Sequence, residues 1–255
     1  MPTPTGRAVA LAGALMVSVV ALTACTSSAG APAAATGTGA GTQPALASPT
    51  AGATSPAAGS AADVLDKART NALAAKSGAF RGNVTQNGVP VQVDFKGTAD
   101  GTTVDVAIAM GAKGRVRVIS VGGSVYMQAD AAFWKSQQAP APVQQAGNRF
   151  VRIPEGASSL ASRLNLTSFL KSAFQAVTAD RLSDVVTSAT VNGVESWRLT
   201  DKQGEAGGTL YVAKATNELV RFTGPKSSPG QLDFSRWNQD LGVTAPPAGQ
   251  VLTVP

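Results

Sequence analysis

Two neighbouring stretches with alternating apolar and polar residues decide the fold. They read Val89-Pro90-Val91-Gln92-Val93-Asp94-Phe95 and Val104-Asp105-Val106-Ala107-Ile108-Ala109-Met110. Alternation with a period of two predicts β-strands that bury one face and leave the other in water. One-sided burial is typical of an antiparallel sheet, because the strands of a parallel sheet are covered on both faces and read as continuous apolar runs.

Shorter runs continue this pattern on both sides of a central break. Turn signals such as Asn87-Gly88, Asp100-Gly101 and Asn192-Gly193 separate the runs, and Asn-Gly is favourable for a tight hairpin. The further predicted strands lie at 115–118, 124–128, 185–191, 195–200, 209–214, 219–224 and 231–234.

Two segments have the period of a helix instead. Asp63 is predicted to cap a helix that runs to about Lys76, and 158–177 is predicted to be helical, with a second helix starting at Thr167 or Ser168. The apolar stripe of the first helix consists of Val64, Leu65, Ala68, Ala72 and Leu73. Since no βαβ unit is present, the predicted fold class is α+β. We expect a strongly curved antiparallel sheet, a half-open barrel of about ten strands, wrapped over two or three helices.

The first residues have the features of a secretory signal. Arg7 is followed by an uncharged run from Ala8 to Ala24, which is shorter than the roughly 20 apolar residues of a membrane-spanning helix. Leu22-Thr23-Ala24-Cys25 ends the run and resembles the bacterial lipobox, in which the cysteine receives a diacylglyceryl group and becomes the new N-terminus. The alternative is an ordinary secreted protein with an incidental cysteine.

The predicted organisation is a signal peptide at 1–24, a lipidated Cys25 with a tether at 25–60, and a domain at 61–255. Ala, Thr, Gly, Ser and Pro make up 33 of the 35 residues in 26–60, and none is charged, which predicts a flexible tether. The domain has 20 basic and 15 acidic residues. Its basic residues are scattered and do not form the clusters of a nucleic-acid-binding protein, so a weak attraction to anionic lipid headgroups is the more natural use of this charge.

The composition excludes several kinds of site. With no histidine and one cysteine, the chain has no histidine-dependent triad, imidazole metal ligand or intrachain disulfide. It has no P-loop, nucleophile elbow or serine–lysine hydrolase motif. The closest carboxylate pairs, Asp100 with Asp105 and Asp180 with Asp184, are better explained as turn and helix-end residues. We therefore predict a protein that is not an enzyme and needs no cofactor or metal.

Several short strings, in a fixed order, carry a likeness to a known family. After the lipobox and the tether come Val64-Leu65-Asp66-Lys67-Ala68, Thr190-Val191-Asn192-Gly193-Val194-Glu195, Leu210-Tyr211-Val212-Ala213, Glu218-Leu219-Val220-Arg221-Phe222 and Gly230-Gln231-Leu232-Asp233-Phe234-Ser235-Arg236-Trp237-Asn238. This order resembles the actinobacterial LppX/LprA/LprF/LprG-type lipoproteins, which share a fold with the lipoprotein carrier LolA. The resemblance covers most of 61–255 and is weakest at 130–175.

The resemblance implies a half-open barrel whose concave face, plugged by helices, leaves an apolar cavity for acyl chains. It also implies a lipid-anchored protein on the outer face of the cell membrane, with a lipid or acylated glycolipid as ligand and an envelope transport protein as a possible partner. No catalytic residue comes with it. The competing hypothesis is a non-catalytic protein-binding or scaffolding lipoprotein with a filled core, and an internal cavity of several hundred Å³ would distinguish the two.

Strand alternation selects the residues expected to line such a cavity. They are Val91, Val93, Phe95, Val104, Val106, Ile108, Val116, Val118, Val220, Phe222, Leu232 and Phe234. The alternative is that they pack a dry core against the helices. Phe133 and Trp134 are candidates for a gate, or else for a lid on their own core, whereas Trp197 and Trp237 are expected in the core.

The lipobox interpretation predicts that Cys25→Ala prevents stable membrane anchoring. Each buried CH₂ of an acyl chain contributes about 0.8 kcal/mol, so that two or more chains anchor a protein nearly permanently. In cell fractionation we expect the variant in soluble or uncleaved form, and Ser28→Ala, as a control, in the membrane fraction. Unchanged membrane association of Cys25→Ala would contradict the lipobox.

Overall fold

The computed structural model describes residues 59–86, 88–153 and 164–252. The helices are α1 Ala61–Ala74, α2 Ala131–Ser136, α3 Ala141–Gln144 and α4 Leu166–Gln175. The strands are β1 Ser77–Gln86, β2 Val89–Thr98, β3 Val104–Ala109, β4 Arg115–Val121, β5 Ser124–Ala129, β6 Phe150–Ile153, β7 Thr187–Val191, β8 Val194–Asp201, β9 Gly204–Ala213, β10 Leu219–Thr223, β11 Gly230–Ser235 and β12 Val251–Leu252. The predicted signal peptide, Cys25 and the tether up to residue 58 lie outside the described residues.

All twelve strands belong to one curved sheet, in the order β12-β6-β5-β4-β3-β2-β1-β11-β10-β9-β8-β7. Neighbouring strands are antiparallel except for β12, which lies parallel to β6. The sheet thus consists of two meanders, β1 to β6 and β7 to β11, that meet where β1 pairs with β11. Since β7 and β12 form its two edges, the sheet stays open, and the predicted fold class is confirmed with twelve strands instead of about ten.

The strand that joins the two meanders was not among the predicted strands. The inward positions of β1 are Gly78, Phe80, Gly82 and Val84, as the register with β2 shows. Two glycines at these positions interrupt the apolar period, so that β1 lacks the pattern of its neighbours. The strands β6 and β12 were also missed, because four and two residues are too few for a period to be recognised.

The helix starts follow local hydrogen bonding. Ser60, and not the predicted Asp63, caps α1: its Oγ accepts a hydrogen bond from the Asp63 N–H at 3.1 Å, while the Asp63 carboxylate accepts one from the Ser60 N–H at 3.1 Å. This arrangement is a capping box. α4 begins at Leu166, close to the predicted second start, and the part of the predicted helix at 158–163 lies outside the described residues.

Phe80, at the centre of the sheet, joins its two halves to a helix. Its ring centroid lies 4.8 Å from that of Phe95 in β2, 5.6 Å from that of Phe234 in β11 and 4.1 Å from that of Phe169 in α4. Trp237 continues the aromatic cluster by stacking on Phe234 at 6.0 Å. Because aromatic pairs stabilise beyond their buried area, this cluster holds α4 against the junction of the meanders. Trp237 is buried in the core as expected, and so is Trp197.

The close approach of β1 and β11 depends on Gly82. This residue has a φ of +152°, and a Cβ there would lie 1.9 Å from the backbone oxygen of Gln231 in β11. Such a distance is far below van der Waals contact, so that any side chain would force the two meanders apart.

We expect Gly82→Ala to lower the free energy of unfolding by about 2–4 kcal/mol, since it combines overpacking with backbone strain. Urea denaturation measures this change. Gly249→Ala is the matched control, because a Cβ at Gly249 meets no atom within 4 Å, and its stability should stay near that of the wild type. Equal stabilities for the two variants would contradict the role of Gly82.

Candidate functional site

The inner face of the sheet carries two parallel rows of apolar residues. The first, here the Phe80 row, runs through register partners Phe234, Phe80, Phe95, Val106, Val118 and Met127. The second, the Gly82 row, runs through Phe222, Leu232, Gly82, Val93, Ile108, Val116 and Ala129. Every member of the Phe80 row is buried, so that this row forms the floor of the packed core.

The Gly82 row is covered less completely. Phe222, Val93 and Ile108 are only partly buried, although they pack against the core. Gly82 contributes no side chain between Val93 and Leu232. The row therefore presents apolar side chains that the helices do not fully shield, around a position that no side chain fills.

Most of the predicted cavity residues share this inner face. Those that are buried are Val91, Phe95, Val104, Val106, Val116, Val118, Leu232 and Phe234. Val93, Ile108 and Phe222 are the partly exposed ones. Alternation of apolar and polar residues predicts their common face, because it holds over β2, β3 and β4 without interruption.

Val220 does not lie with the others. The register of β10 with β9 shifts between Leu219 and Arg221, and such a bulge breaks the alternation of sides along a strand. Val220 packs instead in a separate small cluster with Val191, Ala213 and Tyr211. A bulge of one residue leaves no mark in the sequence pattern, which is why alternation assigned Val220 to the wrong group.

Phe133 and Trp134 are buried in α2, each with 2% of its surface exposed. Asp130 caps this helix by accepting hydrogen bonds from the N–H groups of Phe133 and Arg115, both at 2.9 Å. The pair thus belongs to the main hydrophobic core and not to an exposed loop, and a gating role stays a prediction. Trp134 Nε1 has no hydrogen-bond partner among the described residues.

A small cavity lies between the sheet and the end of α4. Its apolar lining includes Val177, Leu199 and Phe222, and its volume is about 50 Å³. An ion pair from Arg181 Nε to Asp201 Oδ2, 3.5 Å long, belongs to the same cavity. Sites for small molecules usually have about 300–1,000 Å³. The core is therefore nearly filled here, and an acyl chain could enter only if the covering helices moved.

The helical cover is held by few specific contacts. Arg69 of α1 donates a hydrogen bond to the Val177 carbonyl at 2.9 Å, and its guanidinium carbon lies 5.7 Å from the ring centroid of Phe174 in α4. Phe169 is the contact of α4 with the Phe80 ring, and it is itself only partly buried. Apolar packing thus accounts for most of the attachment of α4 to the sheet.

The outer face of the sheet carries the main charged cluster of the first meander. Arg117 forms a two-pronged contact with Asp105, from Nε to Oδ1 and from Nη2 to Oδ2, both at 2.8 Å, and Lys96 Nζ lies 3.3 Å from Oδ2. Burial of Asp105 acts to raise the pKa of its carboxyl, but the hydrogen bond from Arg117 and the charges of Arg117 and Lys96 outweigh it and hold this pKa below its usual value. The hydrogen bond to Asp105 in turn raises the pKa of Arg117.

The described residues show neither a metal cluster nor a membrane-spanning helix. Within 59–86, 88–153 and 164–252, no group of three or more acidic, cysteine or histidine side chains is arranged to hold a metal ion. None of the helices in this part of the chain is long and apolar enough to cross a bilayer.

Comparison with known proteins gives matches among solved structures. LprF from Mycobacterium bovis aligns with 73% of this chain and 96% of its own, at 10% identity and a TM-score of 0.45. The lipoprotein LppX from Mycobacterium tuberculosis aligns over 72% and 98%, at 13% identity and a TM-score of 0.42. The chain is structurally similar to these two proteins.

An uncharacterized protein from Thermus thermophilus aligns over 74% of this chain and 96% of its own, at 14% identity and a TM-score of 0.34. No family model matches the chain. No curated protein matches it.

Asp105→Asn should destabilise the protein in a pH-dependent way. Because the folded-state pKa of Asp105 is lowered, its stabilising contribution is fully present above the unfolded pKa of about 3.9 and is lost as the pH falls through the folded value. At pH 7 we expect a loss of about 1.5–3 kcal/mol in the free energy of unfolding, the range for hydrogen bonds to charged groups.

Denaturant unfolding between pH 7 and pH 3 tests this expectation, since the difference between variant and wild type should shrink below about pH 4. Asp66→Asn is the control, because Asp66 forms an exposed ion pair with Arg69 and such pairs contribute little. A loss that does not depend on pH would contradict the assignment to Asp105.

Proposed function

We propose that this protein is a lipid-anchored envelope lipoprotein that binds a lipid or acylated glycolipid through an acyl chain and carries or presents it. The observation that carries the proposal is the Gly82 row, in which Val93, Ile108 and Phe222 remain partly exposed beside a fully buried row of the same sheet.

The row has the chemistry that an acyl chain requires. Burial of apolar surface contributes about 25 cal/mol per Å², and a chain lying across Gly82 would cover Val93 and Ile108 on one side and Phe222 on the other. Val84 and Met110 extend the same partly buried apolar surface towards the strand ends. No polar partner is needed for an alkyl chain, so that its position is set by shape alone.

Binding requires the helical cover to move. The small volume of the cavity beside α4 leaves no room for a whole chain. We infer that the Phe169 side chain moves off the Phe80 ring when an acyl chain binds. The two rings are held together by apolar contact, and an alkyl chain can replace that contact. α4 has 10 residues, and isolated helices shorter than about 12–15 residues are marginal in water, so that its position depends on packing that a ligand can substitute.

The anchor and the tether fit the same activity. A lipidated Cys25 would keep the domain at the outer face of the cell membrane. The tether of 26–60 has a root-mean-square span of roughly 30–35 Å by the square-root rule for flexible chains, so that the domain could reach the bilayer surface and also move away from it.

The second candidate function is that of a scaffolding lipoprotein with a filled core. The nearly filled cavity beside α4 favours it, because a core that packs completely without ligand needs no lipid for its stability. In that case the outer face of the sheet would carry the interaction with an envelope protein.

Lipid extraction separates the two functions. Residues 59–255, produced without the anchor and with the Ser60 cap intact, should carry lipid that mass spectrometry detects in an organic extract, and should bind a fluorescent fatty acid. The double variant Val93→Phe/Ile108→Phe fills the Gly82 row and should weaken probe binding by about tenfold or more, equivalent to 1.4 kcal/mol.

Val194→Phe is the matched control, because Val194 is 39% exposed at the β7–β8 hairpin, away from the row. Thermal unfolding verifies that both variants fold. Absence of both lipid and probe binding in the unmodified domain would refute lipid binding and favour the scaffolding function.

A further inference from the structure

The outer face of the sheet has a recess of about 790 Å³ that crosses β1 to β5. The outward side chains of these strands line it, and the intervening Gly82 row borders it with Gly82, Val93, Ile108, Val116 and Ala129. Its floor is formed by Ala107 and Ala109, the two outward residues of β3 that line it.

The register explains why a recess forms there. Ala107 lies between Asp94 of β2 and Arg117 of β4, and Ala109 lies between Gln92 and Arg115. Methyl groups in the middle strand and long polar side chains on both neighbours produce a trough, here called the alanine trough. Arg81 and Asn83 of β1 extend one wall, and Gln128 of β5 extends the other.

Two arginines of the alanine trough are exposed and without partners. Within the described ranges, the side chains of Arg81 and Arg115 form no hydrogen bond or ion pair, and both residues are exposed. Arg117, by contrast, is held by Asp105, with its guanidinium carbon 5.8 Å from the ring centroid of Phe150. The trough therefore combines one fixed guanidinium with two that are free to bind.

Within the described residues, the acidic residues of the alanine trough form no ion pair with Arg81 or Arg115. Asp130 accepts hydrogen bonds from the N–H groups of Arg115 and Phe133, and Asp94, which lies directly across from Arg81, keeps free acceptor capacity. Asn83, Gln92, Gln128 and Asn148 add amide groups. Asn83 Oδ1 already accepts a hydrogen bond from the Gln231 N–H, and Gln128 Nε2 donates one to the Asn148 carbonyl.

We propose that the alanine trough binds a phosphate group carried by a polyol or sugar. Arg81 and Arg115 stand on β1 and β4, three strand spacings apart and two residues apart along the strands, or about 16 Å at the backbone. Their long side chains can lean over the alanines from both sides. A phosphate has enough oxygens for two guanidinium groups, and arginine matches the geometry of phosphate with two-pronged contacts. The amides and Asp94 then bind hydroxyl groups of the polyol, and the volume lies in the range of small-molecule sites.

The side chains proposed to bind phosphate alternate along the strands with those proposed to bind an acyl chain, and separate probes test the two proposals, so that each can fail without the other. The phosphate can come from a lipid headgroup, as a phosphodiester, or from a soluble phosphorylated sugar, as a monoester. Water-soluble probes distinguish the sources without involving acyl chains.

The test is calorimetric titration of the full chain, purified in a neutral detergent, with four probes. They are glycerophosphoinositol, inositol monophosphate, inositol and inorganic phosphate. We expect one of the two phosphorylated polyols to bind clearly more tightly than inositol or phosphate alone, with an affinity that falls as salt is added. Tighter binding of the diester assigns the site to a lipid headgroup, and tighter binding of the monoester assigns it to a soluble sugar phosphate.

Variants locate the binding. Arg81→Gln/Arg115→Gln, at two exposed positions, should weaken the affinity for the preferred probe by about tenfold or more, while fatty-acid probe binding stays unchanged. Arg236→Gln is the matched control, because Arg236 is exposed on a different recess of the sheet. No binding of either phosphorylated polyol, equal binding of inorganic phosphate, or an affinity that the double variant does not change would overturn the proposal.

Discussion

The contact between β1 and β11 is the constraint on which the rest of the structure depends. It is the only pairing that joins the first meander to the second among the described strands, and it links residues about 150 positions apart. Gly82 allows the two backbones to approach closely. Phe80, two residues away in β1, stacks on rings from both meanders and from α4. The close backbone approach at Gly82 and the ring stacking at Phe80 therefore occur two residues apart on the same strand.

The same junction produces the difference between the two inner rows. Rings fill the Phe80 row and attract α4, whereas the glycine in the next row leaves a position without a side chain, and its neighbours stay partly exposed. Small residues have a comparable effect on the other side, where Ala107 and Ala109 form the floor of the alanine trough. In both places a small residue leaves space on the surface of the sheet. The residues around this space are apolar on the inner face, and they are arginines and amides on the outer face.

Alternation of apolar and polar residues predicts the buried face of a strand correctly where the period is long and uninterrupted. The alternation in β2, β3 and β4 placed Val93, Phe95, Val106, Ile108, Val116 and Val118 on one face, and the register confirms that they share it. It failed where one residue breaks the period. Gly82 interrupts the apolar alternation of β1, so that this strand was not predicted. The bulge before Arg221 places Val220 in another cluster than alternation predicts. For Phe133 and Trp134 the sequence left a gate and a buried lid as alternatives, because a helix of six residues is too short to show which face it buries.

The sequence by itself determined the fold class, the antiparallel character of the sheet and most of its inner face, because each depends on local periodicity that neighbouring residues express together. Only the tertiary structure decided that Gly82 and Gln231 come into contact, that the core beside α4 is nearly filled, and that Arg81 and Arg115 stand on opposite walls of one trough. These features arise between strands that are distant in the chain. Register, curvature and the volume left between packed side chains are properties of the whole sheet, so that no single segment of the sequence contains them.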